Sequence, residues 1–177
     1  MSQSSKHVDW CLRKAEKEIE ECAKSGKRAK HRGLLKIEPN IDEARKHIAK
    51  SEHNFDAITK FKEIGFSDWS VTAGFYCIYH CFLAIACKFG YESGNQECTL
   101  SLMNYLKEEG KINIKDEYID MLKHEEIEES LENSVIDMRE NYTYGIDVSV
   151  KDESKIIELI NNCKKIIEAT KEIVFKG

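Results

Sequence analysis

Between Gly65 and Gly90 the chain carries a long apolar segment in which Phe75, Ile78, Phe82, Leu83 and Ile85 fall on more than one side of a helix. A helix that is apolar all round cannot lie on a surface; it must be enclosed by several neighbours or by lipid. The stretch Val71 to Phe89 approaches the length of a membrane span, but it includes Tyr76, Tyr79, His80 and Lys88, which a hydrocarbon core tolerates poorly. The segment therefore predicts the central helix of a bundle, stopped by Gly90, and no membrane insertion.

The rest of the sequence supplies partners for that helix. One proline and nine glycines leave little punctuation for a many-stranded sheet. No segment reads as a convincing strand, so there is no strand for a glycine-rich phosphate loop to follow. Helices are predicted over Lys6–Lys24, from Asn40 as N-cap to about Glu63, over Gln96–Glu109, over about Ile127–Tyr144, and from a Ser149/Asp152 capping box to the C-terminal region. A short helix is predicted at Tyr118–Leu122, and Ser67 is the expected cap of the central helix. The last helix carries Ile156, Ile160, Cys163, Ile167, Thr170 and Val174 as a seam for antiparallel neighbours. The expected fold is all-α: an up-and-down antiparallel four-helix bundle with an additional N-terminal helix and a short extra helix.

Residues 1–39 form an expected N-terminal helix and basic arm, and residues 40–177 the bundle. The arm, Lys24 to Lys36, holds six Lys or Arg residues and no acid. It reads either as a phosphate-backbone contact or as a solvated linker, and the absence of interleaved aromatic residues favours the linker. A net charge of −5 argues against a globally basic nucleic-acid binder. The seven cysteines, mostly at apolar helix positions, read as packed thiols rather than a disulfide framework. With no targeting motif, a cytoplasmic location is expected. Cys77, His80 and Cys81 share helical spacing for a metal, but one helix supplying three ligands is awkward, so no metal and no cofactor are expected. His47 and His53 read as solvated histidines on a polar face.

Arg139 is the strongest candidate for a site. It lies beside an apolar stripe of Ile127, Leu131, Val135, Met138 and Tyr142, where a guanidinium needs acidic or backbone partners or faces a cleft awaiting an anion. Three groups of residues then form a set: Ala44, Ile48 and Ser51-Glu52; the run Phe75-Tyr76-Cys77-Ile78-Tyr79-His80-Cys81; and Arg139 to Gly145.

This set resembles the HEPN family over about Ile41 to Val174. The resemblance implies an antiparallel bundle that pairs into a homodimer, with a cleft at the two-fold axis lined by the late helix. It also implies one of two roles: a metal-independent ribonuclease, in some cases a toxin, or a non-catalytic partner of a small nucleotidyltransferase. Active members carry Arg-x(4–6)-His. Here Arg139 matches, Tyr144 stands five positions later, and no histidine follows. Tyrosine titrates near pH 10, roughly three units too high for a base at neutral pH. The expectation is accordingly a homodimeric RNA- or nucleotide-binding module of a toxin–antitoxin or nucleotidyltransferase-associated system, with Arg139, Asn141, Tyr142, Tyr144, Tyr79 and His80 as binding residues. The alternatives are a ribonuclease with a degenerate motif, using Arg139 with Tyr144 or His80, and a purely structural interaction domain.

Overall fold

The computed structural model describes residues 2–123 and 134–176. Among them are seven helices: α1 (Gln3–Lys24), α2 (Ile41–Glu63), α3 (Ser67–Lys88), α4 (Gln96–Glu108), α5 (Asp116–Asp120), α6 (Val135–Tyr144) and α7 (Glu153–Lys176). The all-α expectation holds. The predicted start of the sixth helix at Ile127, and Leu131 with it, lie outside the described residues.

Helix α3 is the centre. Thirteen of its residues, from Ser70 to Cys87, are buried, and α2, α4, α6 and α7 all pack on it. It is the one described helix long and apolar enough to cross a membrane, and 72% of its most apolar stretch is buried inside the fold. Contacts give the direction of each neighbour. Ser70 donates to the carbonyl of Ile58 and Ser51 to that of Cys77, while the Asn40 amide donates to the carbonyl of Cys87, so α2 runs antiparallel to α3. Thr72 meets Thr143 and Phe75 meets Arg139, so α6 is antiparallel to α3 as well. Ion pairs Lys62–Glu153 and Glu52–Lys171 set α7 antiparallel to α2. The result is up, down, up, down for α2, α3, α6 and α7.

Helices α3 and α7 approach closely at Gly74. A methyl group there would lie 2.5 Å from Leu159 Cδ2 and under 3 Å from two further carbons of that side chain. The absent side chain lets α7 press its Leu159 against the α3 backbone, which fixes the depth of the whole bundle. The buried face of α7 is Ile156, Leu159, Cys163, Ile166, Ile167, Thr170 and Val174. Ile160, expected in the seam, is only partly buried because Leu159 takes the central place.

Three expectations are corrected. First, Cys11 and Cys98 are joined by a disulfide. The two residues are fully buried where α1 lies along α4, and a separation of 87 residues offers no pairing signal in sequence. Second, the basic segment is not a free linker. Residues Leu34–Lys36 (β1) pair antiparallel with Tyr91–Ser93 (β2), the Arg32 amide donates to Glu18, and His31 Nε2 sits 3.1 Å from Glu92. Third, two helix starts differ. Ser67 does not cap α3; its hydroxyl accepts the Val150 amide instead. At α7 Asp152, not Ser149, accepts the Ser154 amide. By contrast Asn40 caps α2 as expected, accepting from the Glu43 amide at 2.9 Å.

Candidate functional site

The seam between α3 and α6 positions Arg139. Helix α6 begins at Ser134, whose side chain accepts the Asp137 amide and donates to the Asp137 carboxylate, closing its first turn. It ends at Gly145, where the amide reaches back to the Asn141 carbonyl. A Cβ at this glycine would stand 2.2 Å from that oxygen, so only glycine lets the chain turn there. Val135, Ile136 and Met138 anchor the helix in the core. This leaves Arg139 on the flank that faces the N-terminal half of α3.

There the guanidinium lies 4.4 Å above the Phe75 ring. The side chain is only 19% exposed, one terminal nitrogen is 3.3 Å from Glu140, and its Nε is buried with no hydrogen-bond partner. A charged fork that is stacked on an aromatic face, paired once and left with an orphaned donor is arranged to accept one more acceptor group. Phe75 also meets Tyr76 edge-on at 5.1 Å and stacks with Tyr79 at 6.0 Å. Tyr79 is held at its far end by Thr99, 3.5 Å away, and burial raises its phenol above the usual tyrosine range.

The expected site residues divide into three groups. Arg139, Tyr142 and, through Phe75, Tyr79 share the α3–α6 seam. Tyr144 and Asn141 are exposed on α6, Tyr144 at 79%. His80 turns away, toward α2, where its Nδ1 is 2.9 Å from that of His47 and the rings stack. Burial, then the neighbouring His47 and Lys50, lower His80 to about 4. His47 is also lowered by burial, so it is a paired, half-buried histidine and not the solvated one expected. Cys77 and Cys81 point elsewhere again, onto the Ser51 hydroxyl, so the three residues with metal-like spacing do not converge. Among the described residues no group of three His, Cys, Asp or Glu side chains is placed to hold a metal. Burial pushes Cys81 up to about 12 and Cys87 up to about 11, which keeps both as thiols.

About one turn beyond Arg139 along α6 lies a pocket of about 200 Å³ whose walls are Asp68, Trp69 and Thr72 of α3, Tyr142 and Thr143 of α6, and the following loop at 145–148. The sequence reading did not single out Phe75 as the platform of Arg139, nor Asp68 and Trp69 as a pocket wall. The available signal was an aromatic residue in the first turn of a core helix, where only one flank can be buried. Trp69 is half exposed, and Tyr76, two turns further along the same face, is exposed too.

A family model of the HEPN domain matches residues 44–173, well over half of the chain. The chain belongs to the HEPN domain family. Membership makes it a nucleotide- or RNA-related module in general terms. The match begins inside α2, after α1 and the basic segment, and includes all of α3, α6 and the Arg139 site. A search of curated proteins found no match.

Proposed function

We propose that this HEPN protein works as a homodimeric binding module that holds RNA or a nucleotide at the Arg139 seam, beside a small nucleotidyltransferase or within a toxin–antitoxin pair. The observation that carries the reading is the state of Arg139: stacked on Phe75, largely buried, and left with an orphaned Nε. A phosphate oxygen is the acceptor that suits such a fork. Support for pairing comes from the surface beside it. Trp69 and Tyr76 lie along one face of α3, and Tyr144, Ile146 and Val148 project from the end of α6 and the loop beyond, all exposed in the single chain. Apolar side chains grouped this way favour a protein contact over bare solvent.

A cleaving enzyme has less support. General acid–base cleavage needs a proton carrier that changes state near neutral pH and reaches the phosphate. His80 is lowered to about 4 and hydrogen-bonded to His47, on the α2 side of α3. The deciding experiment measures binding and cleavage of short RNA by wild type and Arg139→Met, with sedimentation to read the oligomer. Affinity that falls at least tenfold in the variant, without cleavage by either protein, is the expected result. Equal affinity for both proteins refutes the seam as the binding site, and cleavage by wild type refutes the binding-only reading.

A further inference from the structure

The pocket beside Arg139 has a chemical preference of its own. Two carboxylates line it, Asp68 and Asp147, and Asp68 has one oxygen buried without any hydrogen-bond donor. The indole of Trp69 is half exposed at the pocket wall, Tyr142 faces it from α6, and the loop residues Ile146 and Val148 form an apolar rim. The C-terminal turn of α6, the partly negative end of that helix, also borders the pocket. The surroundings are thus aromatic in shape and acceptor-rich in polarity. They suit a flat ring that brings a hydrogen-bond donor, and they disfavour an anion. At about 200 Å³ the space is smaller than the roughly 300–1,000 Å³ of a pocket for a whole small molecule, so it fits one ring and not a complete nucleotide.

Position along α6 connects the pocket to the anion site. Tyr142 and Thr143 follow Arg139 by three and four residues, on the same flank, so the pocket begins about 5 Å further along the helix. Phe75 beneath Arg139 and Thr72 against Thr143 lie in the same order on α3. A nucleotide laid along the seam would place its phosphate at Arg139 and its base in the pocket.

The geometry points to a base-recognition pocket in which Trp69 stacks on the base and Asp68 accepts a hydrogen bond from its exocyclic amino group. This rests on the nucleotide-binding reading of Arg139 and adds to it a preference for a base that carries an exocyclic amino group over uracil, which has none. Cytosine and uracil make the sharpest comparison, since the amino donor of one is replaced by a carbonyl acceptor in the other.

Titration calorimetry of the full chain with CMP and with UMP tests this, first on wild type and then on Asp68→Asn, Trp69→Leu and Arg139→Met. Wild type is expected to bind CMP about tenfold more tightly than UMP, the worth of one good hydrogen bond to a charged acceptor. Asp68→Asn, which removes the charge and turns one of the two acceptor oxygens into an amino donor, is expected to erase or reverse that ratio. Trp69→Leu is expected to weaken both ligands about five- to a hundredfold, the range for losing one stacking partner. If CMP and UMP bind equally to wild type while Arg139→Met weakens both, the pocket assignment is overturned and the anion site stands. If wild type binds neither, the nucleotide reading itself fails and the pocket falls with it. The CMP/UMP ratio of wild type needs no variant, so a poorly folded mutant cannot obscure the answer.

Discussion

Replacing Arg139 by methionine separates a residue that holds the fold together from one that awaits a ligand. Methionine keeps the apolar stem and much of the volume, so packing on Phe75 is largely retained. The charge contributes through two contacts. A guanidinium 4.4 Å above a largely desolvated ring is worth about 1–2 kcal/mol, and the 3.3 Å pair with a partly exposed Glu140 adds at most about 1 kcal/mol. Against this stands the buried Nε without an acceptor, which costs about 1–3 kcal/mol. These terms nearly cancel. Urea unfolding followed by far-UV circular dichroism is expected to place Arg139→Met within about 1 kcal/mol of wild type, with an unchanged denaturant slope. A loss above about 3 kcal/mol would show that Arg139 is a structural clamp, and the argument from an unsatisfied fork to an anion site would fall.

Three other outcomes follow from the fold. Leu159→Ala is expected to cost about 2–4 kcal/mol and Gly74→Ala about 1–2 kcal/mol; because each fills or vacates the same space, the double variant should be at least about 1 kcal/mol more stable than their sum, as a double-mutant cycle will read. His80 has its folded value lowered to about 4 from 6.5, so its stabilising contribution is complete above about pH 6.5 and lost as the pH falls through about 4. Screening of the half-exposed ring reduces the full linkage energy to about 1 kcal/mol, and His80→Gln should lose that much less stability than wild type between neutral pH and pH 4. Changing Cys11 and Cys98 together to serine should cost about 2–5 kcal/mol, with hydrogen exchange in α1 rising first while α3 stays protected; equal protection in both proteins would mean that packing alone holds α1.

The architecture was legible where periodicity had one meaning. The all-round apolar character of Phe75 to Ile85 marked α3 as central because no surface position accommodates it, and Asn40 with Glu43 marked the start of α2 through local chemistry alone. Arg139 was legible as a buried-edge cation. Its partner was not: Phe75 lies 64 positions earlier, and nothing in either segment encodes which helix faces which. The same limit hid the Cys11–Cys98 bond and the His47–His80 pair, both made by residues distant in sequence. Ser67 misled for a different reason. Its hydroxyl has the right type and place for a cap, but the Val150 amide, brought near by tertiary folding, competes for it.

The way α1 sits on α4 has a consequence for the order of events during synthesis. Helix α1 is made first, yet the surface that receives it, with Cys98, Ser101 and Glu108, is encoded about ninety residues later. At roughly 5–20 residues per second, α1 waits on the order of 5–20 s with its docking face in water. That face is sparing: Val8, Cys11 and Ala15 are its buried residues, with Leu12 at the edge. Two of the three buried side chains are small, so the docking face exposes little that another nascent chain could capture. The modest apolar content that makes α1 look like a weak element in the finished fold is what keeps it soluble until its partner exists.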